Sequence, residues 1–263
     1  MFAAPMAPFE LLQPESLSEA IALLDTDAAR PLAGGTALML MMKAGVLRPA
    51  RLVSLSGLGL EKIESGPAGE LRIGAMVSLR KLETDERVRR GWPVISGALL
   101  RLSNVRVRNV ARLGGHLAHG DPHTDLPPLL SALGATAQIA GPLGERSLPV
   151  EALYSGYLET TLKRDELITR IDVPAMGKRR AAYLKCTTRS ADDWPAVGVA
   201  VVLDGDRQTI VVSAATDRPT RLASADAAES LPIESDLHGS AAYKKQLIRV
   251  YIKRAIHEAR RAG

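Results

Sequence analysis

Ala33-Gly34-Gly35-Thr36 and Leu113-Gly114-Gly115-His116 are the two stretches of this sequence that decide its fold. Each follows or interrupts an apolar run, and we expect each to turn at the end of a strand. A Gly-Gly pair lacks two Cβ atoms and can adopt positive φ, so backbone N–H groups can converge on an anion. Two such turns, about eighty residues apart, can hold a pyrophosphate between them. The pattern therefore indicates a dinucleotide cofactor.

Neither turn matches a common nucleotide-binding motif. The first lies in Arg30-Pro31-Leu32-Ala33-Gly34-Gly35-Thr36-Ala37-Leu38. A Rossmann turn requires G-x-G-x-x-G and an acidic residue about twenty positions later. A Walker loop requires Lys and Ser or Thr directly after its glycines. For this pair alone, an ordinary turn between a strand and a helix stays open as an alternative.

The second turn lies among polar residues. Three arginines precede its glycines, and three of the five histidines and two aspartates follow, namely Arg106, Arg108, Arg112, His116, His119, Asp121, His123 and Asp125. Polar residues this dense between two apolar runs indicate a site. The histidine spacing is also compatible with zinc. The intervening Gly120 and Pro122 argue against one helix face that presents these side chains, so we predict no metal site.

The motifs, taken in order, resemble the FAD-binding medium subunit of the molybdenum hydroxylases, the family of xanthine dehydrogenase and aerobic carbon monoxide dehydrogenase. That family typically shows Ala-Gly-Gly-Thr/His-x-Leu, then Thr-Ile-Gly-Gly-Asn, then Asp-Pro-x-x-Asp-Leu-Pro. This chain carries corresponding blocks at 33–38, 112–116 and 121–127. The resemblance continues through 165–174, Tyr183-Leu184-Lys185 with Arg189 and Asp193, 219–221 and 228–229. It therefore spans nearly the whole chain.

The resemblance implies an α+β fold with a two-lobed FAD-binding domain of the PCMH type, which is also found in vanillyl-alcohol oxidase. Its lobes would span 1–55 and 56–174, and a small C-terminal α+β domain with an antiparallel sheet and helices would span 175–263. Local patterns agree with an α+β fold. Ser16 and Glu19 form a capping box, and strands are expected at 30–32, 51–55, 61–65, 71–75, 135–140 and 167–173. An antiparallel pair is expected around Asp204-Gly205-Asp206. Helices are expected at 93–105, 126–133, 222–231 and 240–261.

The resemblance also implies a noncovalent FAD site shared by the first two lobes. Residues 30–37 would surround the pyrophosphate, 112–116 would form the second phosphate turn, and Asp125 would hold the nucleotide end. The implied contacts are Arg30, Pro31, Leu32, Ala33, Gly34, Gly35, Thr36, Ala37, Leu102, Arg112, Leu113, Gly114, Gly115, His116, Asp125, Ile168 and Lys185. Leu102 and Ile168 could instead be core residues, and Lys185 a surface cation. Arg112, His116 and Ala37 depart from the small polar residues common in the family.

The function that the resemblance implies is electron transfer. A large subunit would carry the molybdenum cofactor and a small subunit two [2Fe-2S] clusters, in a dimer of heterotrimers. This chain would accept electrons on FAD and pass them to NAD+, a quinone or oxygen, which requires no catalytic side chain. Two alternatives stay open. One is a scaffold subunit that has lost FAD, and the other is a stand-alone flavin reductase or oxidase of the same superfamily.

Composition agrees with a globular protein and limits other functions. The chain has 263 residues, of which 46% are hydrophobic and 24% charged. Aromatic residues make up 3%, which argues against stacking platforms for nucleic acid. Cys186 is the single cysteine, so the chain can hold neither an internal disulfide nor an iron–sulfur cluster with four cysteine ligands. No apolar run reaches eighteen residues and no signal-peptide pattern begins the chain. We therefore expect a cytoplasmic protein.

Overall fold

The computed structural model describes residues 6–187, 190 and 193–262. Arg189, part of the family-like segment, lies outside these residues. The N-terminal part is a parallel sheet of three strands in the order β1-β3-β2, formed by β1 (Glu10–Leu12), β2 (Ala29–Leu32) and β3 (Arg51–Ser54). Helices α1 (Leu17–Leu23) and α2 (Leu38–Lys43) make the crossovers that parallel neighbours require. The Ser16 hydroxyl accepts a hydrogen bond from the Glu19 N–H, which confirms the predicted cap of α1.

The middle part is built on an antiparallel sheet of five strands. Its order is β4 (Ile63–Ser65), β5 (Leu71–Gly74), β10 (Leu167–Val173), β6 (Thr136–Gly141) and β7 (Gly144–Pro149). Six short helices connect β5 to β6, namely α3 (Leu79–Thr84), α4 (Glu86–Gly91), α5 (Pro93–Leu100), α6 (Val105–Val110), α7 (Leu113–Ala118) and α8 (Leu126–Leu133). A 3-10 helix at Val150–Leu153 and a small hairpin of β8 (Tyr154–Gly156) and β9 (Glu159–Thr160) precede β10.

The C-terminal part is a four-stranded antiparallel sheet covered by one long helix. The strands β11 (Arg180–Thr187), β12 (Pro195–Asp204), β13 (Arg207–Ser213) and β14 (Thr220–Leu222) pair in sequence order. Helix α9 (Ala241–Arg261) packs Ile248, Ile252, Ala255 and Ala259 against one face of this sheet. The opposite face joins the core of the middle part through Ala181, Ala200 and Val211. Burial on both faces explains the continuous apolar run in β12.

Three expectations about elements were wrong in detail, and some elements were not expected. The second Gly-Gly pair opens helix α7 and does not turn a strand, because Gly114 packs closely against Ala75. The helix expected at 93–105 ends at Leu100, since Asn104 caps a new helix by accepting from the Val107 N–H. The helix expected at 222–231 is a 3-10 helix at Ala225–Ser230, and Pro232 disfavours helical backbone at Leu231. Strand β11 had no predicted counterpart.

The other predicted elements agree with the structure within a few residues, including the hairpin of β12 and β13 around Asp204-Gly205-Asp206. Strands β7 and β14 and helix α4 also had no predicted counterpart. The domain borders at 55 and 174 stay predictions, because buried residues of neighbouring parts share cores across them. Met76, Ala140 and Leu167, for example, pack with α1 and β3 of the N-terminal part. Over the residues described, no helix is long and apolar enough to cross a membrane.

Candidate cofactor site

A cavity of about 420 Å³ lies where the N-terminal sheet meets the middle sheet. One wall is the first glycine segment, between Arg30 and Leu38, which follows the carboxyl end of β2. A second wall is the segment between Arg112 and His119, which contains the other glycine pair. The third wall runs between Leu158 and Ile168. The two motifs that the sequence singled out therefore face one space.

The first glycine pair allows the two walls to approach each other. A Cβ added at Gly34 would overlap the Val110 carbonyl oxygen and lie 2.9 Å from the Ala111 Cα. Gly35 has a φ of +70°, a conformation that side-chain-bearing residues rarely adopt. Glycine is thus required at Gly34 for close packing between the segments and at Gly35 for the positive φ.

The second glycine pair is held against the middle sheet. The Gly114 N–H donates to the Ala75 carbonyl oxygen at 2.7 Å, and a Cβ at Gly114 would lie 2.8 Å from the Ala75 Cβ. A Cβ at Gly115 would lie 3.3 Å from the Ala33 Cβ, across the cavity entrance. Gly34 and Gly115 therefore allow the two segments to come into direct contact, and Gly114 allows the second segment to pack on the sheet.

A buried ion pair holds the helix that precedes the second segment. The Arg108 Nε donates to a Glu83 carboxylate oxygen at 2.8 Å, and both side chains are buried. Arg108 also donates to the Leu102 carbonyl oxygen at 2.9 Å. This network ties α6 to α3 and so places Val110 beside Gly34. Leu102 contributes a backbone acceptor and a buried side chain, and it does not line the cavity.

Two polar atoms of the cavity wall have no hydrogen-bond partner among the described residues. These are the buried Arg112 Nε and His116 Nε2 atoms. Burial lowers the pKa of His116 to about 4, so its imidazole is neutral near pH 7. Buried polar groups nearly always find partners. A guanidinium and a neutral imidazole N–H both suit phosphate oxygens. The residues present therefore fit a phosphate-bearing cofactor.

The third wall adds positive charge that sequence reasoning missed. Lys163 and Arg164 line the cavity beside Glu166. Arg146 donates two hydrogen bonds to Glu166, which lower the pKa of that carboxyl group. Arg146 therefore neutralises the Glu166 charge, and Arg164 pairs with the exposed Asp27 at 3.0 Å. Lys163 leaves this wall with a net positive charge. The charged run just before β10 is the only sequence signal that would have pointed to these residues.

Asp125 and Lys185 lie outside the cavity and contact each other. The Lys185 Nζ lies 3.3 Å from one Asp125 carboxylate oxygen, and the Tyr183 hydroxyl donates to the other at 2.7 Å. Burial raises the pKa of Asp125, and the Lys185 ammonium opposes this rise. The network joins the start of α8 to β11. The sequence placed both residues against the cofactor, whereas the structure places them between two parts of the chain.

Most of the residues that were predicted to contact the cofactor line the cavity. Of the seventeen, Leu32, Leu102, Leu113, Asp125 and Lys185 do not line it, and the other twelve do. Leu113 is fully buried in the core of the middle part. His116 and His119 face the cavity, whereas the His123 Nδ1 lies 2.9 Å from an Asp121 carboxylate oxygen. Where side chains are described, no three His, Cys, Asp or Glu residues are arranged to hold a metal ion.

The chain is similar to known proteins of one family over nearly its whole length. Residues 7–176 match the family described as the FAD binding domain in molybdopterin dehydrogenase. The carbon monoxide dehydrogenase medium chain of Hydrogenophaga pseudoflava is 30% identical over 95% of this chain and 96% of its own length. A solved structure of carbon monoxide dehydrogenase from that organism superposes with a TM-score of 0.91, at 29% identity and 98% coverage of both chains.

A second enzyme has the same fold. The structure of quinoline 2-oxidoreductase from Pseudomonas putida 86 superposes with a TM-score of 0.88, at 28% identity and 98% coverage of both chains. These likenesses confirm the α+β fold with a PCMH-type FAD domain and a small C-terminal domain. The family match covers the cavity walls and both glycine segments. The chain therefore belongs to the family of FAD-binding domains in molybdopterin dehydrogenases and is an FAD-binding subunit of an oxidoreductase.

Proposed function

We propose that the chain holds FAD noncovalently in the 420 Å³ cavity and transfers electrons within a molybdenum hydroxylase complex. The observation that carries this proposal is the pair of unpartnered donors, Arg112 Nε and His116 Nε2, in the wall that contains the second glycine pair. Donors left unpaired in a buried wall are costly, and an anionic group of a cofactor would pair them. The scaffold alternative gives no reason for keeping them there.

The residues of the cavity wall have distinct proposed roles. The backbone of Gly34, Gly35 and Thr36 would approach the pyrophosphate closely, because no Cβ intervenes at the glycines. Arg112 would make a charge-assisted hydrogen bond to a phosphate oxygen, and His116 would donate from its neutral ring. Ile168 would contribute an apolar wall. When bound, FAD supplies the redox chemistry, and the protein supplies binding and orientation.

Five of the predicted contacts lie outside the cavity wall, and their contact with FAD stays a prediction. Leu102 and Leu113 would support the second glycine segment from the core, and Leu32, which is partly buried, would support Gly35 from its own segment. Asp125 and Lys185 would reach FAD only if the cofactor extends beyond the cavity towards β11. Their pairing with each other favours a positioning role for this network, which aligns the C-terminal part with the site.

The names of the relatives support a multi-subunit assembly. A medium chain implies larger and smaller partners, and we propose a large molybdenum-cofactor subunit and a small [2Fe-2S] subunit in a dimer of heterotrimers. Electrons would enter from the clusters and leave to NAD+, a quinone or another acceptor. Enzymes named for carbon monoxide and for quinoline match this chain about equally well. This similarity supports the proposal that the substrate is selected on a partner chain. The cytoplasm stays the location predicted from the sequence.

Flavin binding by purified variants tests the proposal. We expect the wild-type chain to show the visible absorption bands of oxidised flavin, either as purified or after addition of FAD. Arg112→Gln should weaken FAD binding by roughly 10- to 100-fold, because a hydrogen bond to a charged group contributes about 1.5–3 kcal/mol. Arg106→Gln is the matched control, since Arg106 is exposed and lies outside the cavity wall.

Each outcome separates the alternatives. If the wild-type chain showed no flavin bands in excess FAD, the result would favour a scaffold subunit that has lost FAD. Flavin bands without co-purifying molybdenum and iron–sulfur subunits would favour a stand-alone reductase or oxidase. An equal loss of FAD affinity in both arginine variants would contradict the proposed role of Arg112.

A further inference from the structure

A second concave surface lies far from the glycine segments, between α9, β11 and the end of α5. This basic groove encloses about 860 Å³. Its wall contains six basic side chains, Arg101, Lys185, Lys253, Arg254, His257 and Arg261, and a single carboxylate, Glu258. The resemblance to known proteins assigned a role to Lys185 alone among these residues. The groove therefore requires its own explanation.

Among the described residues, most charged side chains of the basic groove have no oppositely charged partner. Within the part that the structure describes, Arg101, Lys253, Arg254 and Arg261 form no salt bridge. Earlier on the same helix, by contrast, Lys244 pairs with Asp236 and Arg249 pairs with Glu229. Like charges that share a concave surface repel each other, and the repulsion is relieved when an anion binds.

The spacing of the basic residues in α9 places them on one side of the helix. Lys253, His257 and Arg261 follow one another at intervals of four residues, so they share a helix face. The face that carries Ile252 and Ala255 is buried against the sheet. Cations near a helix C-terminus also stabilise the helix dipole, but that effect is confined to the last turn. It explains Arg261 and leaves Lys253, Arg254 and Arg101 unexplained.

One cation of the groove is already oriented. The Arg254 guanidinium lies 5.5 Å from the centre of the Tyr251 ring, in a cation–π contact. Tyr251 also lines the groove. A guanidinium that is held in place loses less side-chain entropy when its planar fork pairs with a carboxylate. This contact favours binding of anions with paired oxygen atoms, among which carboxylates are the ones that a polypeptide supplies.

We propose that the basic groove binds an extended, carboxylate-rich segment of a partner polypeptide. The helix edge of the groove, from Tyr251 to Ala262, is about 16 Å long at about 1.5 Å per residue. An extended segment of about five residues has the same length, whereas a compact small anion would occupy one end. This inference rests on the proposed assembly with other subunits, which supplies the partner.

A labelled acidic peptide tests the groove on the intact chain. The probe is fluorescein-labelled hexaglutamate, measured by fluorescence anisotropy with the cofactor cavity saturated with FAD. We expect binding that weakens as salt is raised, and a loss of roughly tenfold in Lys253→Gln/Arg254→Gln, because two exposed charge pairs are removed. Lys62→Gln/Arg89→Gln removes the same charge from exposed residues outside the groove and should leave the affinity unchanged.

Other outcomes would overturn the proposal. No binding of hexaglutamate, or the same loss in both double variants, would show that the groove has no specific role. Competition by tripolyphosphate at lower concentration than by unlabelled hexaglutamate would identify a small-anion site instead.

The assembled complex provides an independent readout. In the purified complex, Lys253→Glu/Arg254→Glu should release a partner subunit at lower salt than the wild type, with flavin absorbance per chain unchanged. A wild-type chain that lacks flavin but binds hexaglutamate would refute the proposed function and leave the groove standing. A flavin-loaded complex that is indifferent to the charge reversal would refute the groove alone.

Discussion

At the scale of single residues, Gly34 is a position of the cofactor site where a side chain has no room. A methyl group there would overlap the Val110 carbonyl oxygen and push the two glycine segments apart. We expect Gly34→Ala to lower the free energy of unfolding by about 1–3 kcal/mol, as overpacking does, and to reduce flavin occupancy. Urea denaturation and the visible spectrum measure the two effects.

Gly97→Ala is the matched control for this substitution. Gly97 is exposed within α5, and a Cβ added there would meet nothing within 4 Å. Alanine should stabilise this helix by about 0.5–1 kcal/mol and leave flavin occupancy unchanged. If Gly34→Ala behaved like Gly97→Ala, the close approach of the two segments would not matter for the site.

The lowered pKa of His116 predicts that the stability of the fold depends on pH. Burial lowers its pKa from 6.5 to about 4 in the folded chain. Between pH 4 and 6.5 the unfolded chain binds more protons than the folded chain. The contribution of His116 to the free energy of unfolding is therefore fully present above pH 6.5 and is lost as the pH falls towards 4. The loss attributable to His116 is about 3 kcal/mol. Urea denaturation of the cofactor-free protein from pH 7 to 4 should show a shallower decline in His116→Gln than in the wild type. Parallel curves would refute the prediction.

At the scale of elements, the Asp125–Lys185 network joins α8 to β11. Removing one member of a buried pair leaves the other charge uncompensated. Lys185→Met should therefore lower the free energy of unfolding by about 3 kcal/mol, as urea denaturation would measure. Lys178→Met replaces an exposed lysine and should change it by less than about 0.5 kcal/mol.

A double variant separates the pair from simple packing. Asp125→Asn combined with Lys185→Met removes both charges, so its effect should be smaller than the sum of the single effects. Strict additivity would mean that the two side chains do not interact. If Asp125→Asn alone abolished flavin binding without loss of stability, direct contact with the cofactor would replace the positioning role.

At the scale of the whole molecule, the cofactor should stabilise the fold by binding where two sheets meet. FAD at about 100 times its Kd contributes about 2.7 kcal/mol, which corresponds to roughly 5–10 °C in Tm for a chain of this size. Riboflavin, which lacks the pyrophosphate and adenosine, should raise Tm less at equal concentration. Scanning calorimetry measures both, and equal shifts would contradict recognition through the pyrophosphate.

Short-range features of this chain were predictable, because each depends on residues close together in sequence. Ser16 caps α1, the hairpin turns at Asp204-Gly205-Asp206, and α9 carries a buried stripe at helical spacing. The helical conformation of the second glycine pair was not predictable in this way. It results from the contact between Gly114 and Ala75, which are distant in sequence.

The sequence by itself determined the family, the two glycine segments and the parts of the cavity wall that they form, since ordered motifs and local backbone preferences are written in neighbouring residues. Tertiary structure alone decided that Gly34 touches Val110, that Arg112 Nε and His116 Nε2 are left without partners, and that Asp125 pairs with Lys185. These facts depend on distances between residues far apart in the chain, and such distances are settled only when helices and sheets pack into one core.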